Sequence, residues 1–199
     1  MRLLGAFLVL GAVGQAAAAA WDVDVSAALY ALPDDEDLVQ PTVRADREDL
    51  HLEARYNYED RNATSLFLGA NFAWGEEKTL ALTPMFGVLF GDDVHGIVPG
   101  LEADFGAGLF QAYTEAEYVM DLEDSASSYV YAWSELSLRP WERWRAGLVG
   151  QRTRAYQTDR DIQRGVLLGL AFPRIEGTVY LFNPGSGDHF TVVSLSLSF

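Results

Sequence analysis

Phe190-Thr191-Val192-Val193-Ser194-Leu195-Ser196-Leu197-Ser198-Phe199 closes the chain with a strict period of two. Val193, Leu195, Leu197 and Phe199 share one face, and Ser194, Ser196 and Ser198 share the other. That period is the signature of a β-strand, whose successive side chains point to opposite sides. One face is large and apolar; the other is small and polar. The last residue is a phenylalanine on the apolar face.

Working back from this strand, the same alternation recurs between turn signals. The segments expected as strands are Asp22–Leu32, Leu38–Ala45, Leu50–Tyr58, Thr64–Trp74, Thr79–Phe90 and Ile97–Ala107. Phe110–Met120, Ser128–Leu138, Trp144–Tyr156, Ile162–Phe172 and Ile175–Phe182 follow, and the closing strand is the twelfth. Leu38–Ala45 is the weakest of them, because Pro41 interrupts it and proline cannot donate to a ladder. Counting it as part of a loop from Pro33 to Asp49 would give ten strands instead of twelve.

Two patterns separate a membrane barrel from a soluble sandwich. The first is in the connections. Every second one is longer and acidic, as in Pro33–Asp37, Glu59–Asn62, Gly91–Gly96, Asp121–Ser127, Gln157–Asp161 and Asn183–His189. Those between are mostly short, such as Gly75–Lys78, Pro140–Arg143 and Pro173-Arg174. Transmembrane barrels alternate long outer loops with short periplasmic turns. The second pattern is in the aromatics. Trp74, Trp144, Phe172 and Phe199 fall on the apolar face at expected periplasmic ends. Tyr58, Phe90 and Tyr118 do so at expected outer ends. Two such belts suit the headgroup levels of a bilayer.

The Phe-ended closing strand resembles that of bacterial outer-membrane β-barrel proteins. The resemblance covers residues 21–199 but is architectural, and it names a superfamily rather than a family with a known substrate. It implies an all-β fold, a single antiparallel transmembrane β-barrel of about twelve strands. It also implies recognition of Phe199 by the barrel-insertion machinery, and an outer membrane containing lipid and lipopolysaccharide as surroundings. An edge-free closed sheet is what hydrocarbon demands, since each unpaired backbone group there costs several kcal/mol.

The first twenty residues read as a secretory signal peptide: Met1-Arg2, an apolar run from Leu3 to Val13, and the alanines 16–20. Cleavage is expected after Ala19 or Ala20. The 199-residue chain carries a formal charge of −15, and removing residues 1–20 with Arg2 leaves −16. Lys78 is the only lysine, a balance that argues against nucleic acid as a partner. Cysteine is absent, so there is no disulfide framework and no thiolate chemistry.

If the apolar face meets lipid, the other face lines a lumen. By parity it holds His51, Glu53 and Arg55, then Glu102 and Asp104, then Glu115 and Glu117. From the later strands it receives Tyr129, Tyr131, Trp133, Glu135 and Arg145. Carboxylates outnumber cations, and some are expected to pair with Arg55 or Arg145. A water-filled path of this composition favours cations and neutral polar solutes. The alternative is a plug, in which the same charges pair across a narrow barrel and close it.

Arg152, Arg154 and Arg164 sit near the outer end of one hairpin. They could grip anionic lipid phosphates or pair with Asp159 and Asp161. No catalytic residues, metal site or cofactor is expected, and the chain is not read as an enzyme. Asp92, Asp93, His95 and His189 lie on two loops and offer only a weak case for hydrolysis or a divalent cation. No phosphate loop, zinc signature or nucleotide fingerprint is present.

Overall fold

The computed structural model describes residues 20–33, 35–92, 94–153 and 162–199. The expected signal peptide, apart from Ala20, lies outside them. So does Arg154, one of the three hairpin arginines.

The strands are β1 (Asp22–Ala31), β2 (Leu38–Arg47), β3 (Leu50–Tyr56), β4 (Thr64–Ala70), β5 (Phe72–Trp74), β6 (Lys78–Phe90) and β7 (His95–Ala107). They continue with β8 (Phe110–Asp121), β9 (Tyr129–Trp141), β10 (Trp144–Arg152), β11 (Gln163–Ala171), β12 (Ile175–Phe182) and β13 (Phe190–Ser198). Each pairs antiparallel with its neighbours, and β1 meets β13 with Asp24 opposite Ser198. β4 and β5 both pair with β6 and are two halves of one stave. The result is a closed antiparallel barrel of twelve staves with no free edge.

The break between β4 and β5 falls at Asn71. Its amide donates to the Asp49 carbonyl (2.8 Å), and its side chain bonds Asp46 and Thr83 inside the barrel. Pro41 does not end β2. The β2–β3 ladder starts one residue later, at Thr42 opposite Arg55, so proline sits where β3 is no longer paired. β9 runs through Pro140 to Trp141, and the turn reduces to Glu142-Arg143.

Burial alternates plainly along staves such as β3, β9 and β11. The leucines and valines of the apolar face are not packed into a centre: Leu68 is 58% exposed, Leu168 52% and Leu195 50%. They form a continuous apolar belt far larger than a water-soluble monomer exposes. Both chain ends of the barrel, Asp22 and Phe199, lie at one mouth, where the Phe199 amide donates to the Val23 carbonyl (2.9 Å). This is the terminal mouth; the longer connections crown the opposite, loop mouth. Trp74, Trp144, Phe172 and Phe199 point outward at the terminal mouth, and Phe90 and Tyr118 at the loop mouth.

Tyr58 departs from the expected belt. β3 ends at Tyr56, and Asn57 adopts a left-handed φ of 58°. Asparagine tolerates that conformation better than most side-chain-bearing residues. The reversal breaks the period of two and sends the Tyr58 ring inward, where its hydroxyl donates to Glu115 Oε2 (3.1 Å).

Candidate functional site

The inner face changes character along the barrel axis. In the half nearest the loop mouth it is packed solid. Leu89, Val98, Val119, Phe182, Phe190 and Val192 point inward there, each almost fully buried. The Phe182 and Phe190 rings stack at 4.7 Å, and Trp133 meets Phe182 edge-on at 5.7 Å. Gly87 makes room for Phe67, another buried member of the plug: a Cβ there would lie 2.5 Å from the Phe67 ring.

Arg55 sits at the base of this plug and is fully buried. Its Nη1 donates to Glu117 (2.6 Å), Glu115 (2.7 Å) and Glu59 (3.2 Å), and its Nη2 to Glu53 (2.8 Å). Its guanidinium lies over the rings of Tyr58 (4.4 Å) and Phe67 (4.6 Å). Ring contacts together with carboxylate partners suit a planar cation. Arg44 extends the network to Glu53 and Glu102, both at 2.8 Å. The ring nitrogens of His51 face Asp46 Oδ1 (2.8 Å) and Glu53 Oε2 (3.4 Å). Neither nitrogen is left for a substrate.

The half nearest the terminal mouth is open. A cavity of about 1280 Å³ fills it, bounded at the rim by the turn at Gly75 and by Pro173 and Arg174. Its floor includes Tyr30, Tyr58, Tyr113, Trp133 and Tyr180, and Ser194, Ser196 and Ser198 form one wall. Seven carboxylates line it against three arginines. The second charge cluster is in this half. Arg145 bonds Glu135, Glu176 Oε1 (2.8 Å) and Thr178 (3.0 Å), and the Tyr180 hydroxyl donates to Glu135 (2.7 Å).

Thus His51, Glu53, Arg55, Glu115 and Glu117 gather in one network, to which Glu102 is joined through Arg44. Trp133, Glu135 and Arg145 gather in another, through the Trp133 Nε1 bond to Glu135 (3.0 Å). Tyr129 and Tyr131 stand in the plug. Asp104 lines the open cavity. Arg152 and Arg164 are exposed at the loop mouth. His95 approaches Glu123 (3.6 Å) and His189 the Ser186 carbonyl (3.0 Å). Among the described residues no three potential ligands converge on a metal position.

Sequence reasoning missed Arg44, Glu59 and the apolar plug. Glu59 reads as the first residue of a solvated acidic loop. The structure instead buries it completely, with Ser65 Oγ donating to both its carboxylate oxygens (2.8 and 2.9 Å). Arg44 shares the inward parity of Gln40 and Thr42, a signal weakened by Pro41.

No family model and no curated protein matches the sequence. Solved structures do. A KdgM porin superposes with a TM-score of 0.58 at 11% identity, covering 89% of this chain and 99% of that one. A KdgM porin in complex with disordered oligogalacturonate gives 0.58 at 12% identity, with the same coverage. The outer membrane protein opdK from Pseudomonas aeruginosa overlaps 86% of this chain and 60% of its own, at 11% identity and a TM-score of 0.44, too low to bear on the argument. The chain has the fold of a bacterial outer-membrane β-barrel, and within that class the fold of a twelve-stranded porin.

Proposed function

We propose that the barrel is a small outer-membrane channel, closed in this conformation, with a periplasmic vestibule selective for cations and neutral polar solutes. The observation that carries this reading is the 1280 Å³ cavity, in which carboxylates exceed arginines by four. A ring of fixed negative charge in a narrow aqueous path draws cations and repels anions. The terminal mouth faces the periplasm in this reading, since the short turns lie there. The apolar belt sits in the outer membrane, and Arg152 and Arg164 stand at the height of the outer-leaflet phosphates.

A second reading is favoured by the packed half: a closed barrel that serves the envelope structurally and passes nothing. Planar-bilayer recording separates the two. Under a potassium chloride gradient the channel reading predicts unitary currents with a reversal potential on the cation-selective side. Bilayers that stay silent across voltage and pH, with folded protein inserted, support the structural reading. We read the chain as non-enzymatic, because its one fully inward histidine is held between two carboxylates.

A further inference from the structure

Leu32 and Val94 enter the plug as single loop residues, and one loop enters it at greater length. The loop 57–63 turns back into the loop mouth between two asparagines with left-handed backbones, Asn57 (φ 58°) and Asn62 (φ 55°). Asn57 pins its base: its amide donates to the Ala63 carbonyl (2.9 Å), its Nδ2 to Val39 (3.1 Å), and its carbonyl accepts from Gln40 (2.7 Å). Arg61 ties the tip to the neighbouring loop through Asp35 (2.8 Å), and Glu59 ties it to the barrel interior. The Glu59 carboxylate meets Arg55 and Ser65, and the Glu59 carbonyl accepts from the Tyr129 hydroxyl (3.1 Å).

The charges around that carboxylate do not balance. Glu59, Glu115 and Glu117 converge on a single nitrogen of Arg55, whose other terminal nitrogen serves Glu53. Glu117 Oε2 is buried with no hydrogen-bond partner. The groups facing Glu59 are Arg55 of β3, Ser65 of β4, Glu115 and Glu117 of β8, and Tyr129 of β9. Glu53, Tyr58 and Tyr131 form the next layer. Three carboxylates sharing one guanidinium nitrogen in a dry space repel one another, and moving Glu59 into water relieves that repulsion.

We propose that loop 57–63 is a proton-dependent latch, with Glu59 as the residue that binds it into the barrel and releases it. This deepens the channel reading above and rests on it for its consequence, though not for its test. Burial pushes the Glu59 carboxyl above its ordinary range, against the opposing pull of Arg55 and Ser65. The closed form therefore holds a proton more tightly than a form with the loop in water. By linkage, acidification favours the latched state, and raising the pH through the buried value favours release. Glu59 is the one carboxylate bonded to Arg55 that can leave without unzipping a strand, because it lies between β3 and β4.

The chain has no cysteine, so a single one can report on the loop. Ala63, the last residue of the loop, is fully buried. In Ala63→Cys protein reconstituted in vesicles, a small water-soluble maleimide should label at least about ten-fold faster near pH 8.5 than near pH 5, after correction for thiolate content. Adding Glu59→Gln, which is neutral at every pH, should remove that dependence and leave labelling slow. Equal corrected rates at both pH values, or a dependence that survives Glu59→Gln, overturn the latch. Should Ala63→Cys not fold, hydrogen exchange of residues 57–63 in the unmodified protein gives the same reading: less protection at high pH supports the latch, and unchanged protection overturns it. Both readouts are independent of conductance. A pH-sensitive loop in a silent barrel keeps the latch and loses the channel; currents without a pH-sensitive loop do the reverse.

Discussion

The two halves of the lumen are built from the same twelve staves and solve opposite problems. In the loop half large side chains, mostly apolar and packed around the Arg55 cluster, fill the inward face and exclude water. In the terminal half the inward positions are serines, aspartates and glutamates around an open cavity. The contrast is plainest in the two arginines. Arg55 is fully buried among four carboxylates and two rings. Arg145 is bonded to Glu135 and Glu176, at the edge of the water-accessible space. A charge taken wholly out of water must have all its partners in place, whereas one beside water has solvent to fall back on. Burial, more than the number of salt bridges, sets what each cluster contributes.

The largest effect belongs to the arginines. Arg55→Ala strands several carboxylates in a dry space and should cost about 4 kcal/mol, against about 2 kcal/mol for Arg145→Ala. Urea unfolding in lipid vesicles, followed by tryptophan fluorescence, measures both; equal losses contradict the division. A smaller effect separates two glycines. Gly87→Ala drives a methyl to 2.5 Å from the Phe67 ring in the packed half, and such overpacking costs about 1–3 kcal/mol. Gly106→Ala, on the inward face of the open half, meets only the Thr79 hydroxyl, at 2.7 Å, and that hydroxyl can turn into the cavity that Thr79 lines. It should be neutral or stabilise by up to about 1 kcal/mol through the lost freedom of the unfolded chain.

The fold was legible because a bilayer imposes rules on one face alone. Hydrocarbon outside forces apolar residues at every second position, so Val193, Leu195 and Leu197 declare the strand and its outward side. The alternation of long and short connections then sets the strand count. The interior has no such solvent to enforce a pattern. On β13 the same inward parity carries Ser198, Ser196 and Ser194, then Val192 and Phe190. The switch from small polar to large apolar residues is present in the sequence, yet a two-face reading has no reason to look for it. Arg55 and Glu115 were assigned to the lumen by parity, but their contact spans sixty residues and depends on which staves close the ring. Tyr58 and Glu59 escaped because one left-handed asparagine ends the period of two, and alternation says nothing beyond that point.

β13 crosses both halves, so it also supplies the sharpest test of the divided lumen. Single cysteines at 190, 192, 194, 196 and 198 in vesicle-reconstituted protein should label with a small polar maleimide in a step. Positions 194, 196 and 198 should react quickly, position 190 should stay protected, and position 192, at the cavity floor, should mark the boundary. A uniform rate along the strand would mean that water runs through the whole barrel, or through none of it, and would contradict the account.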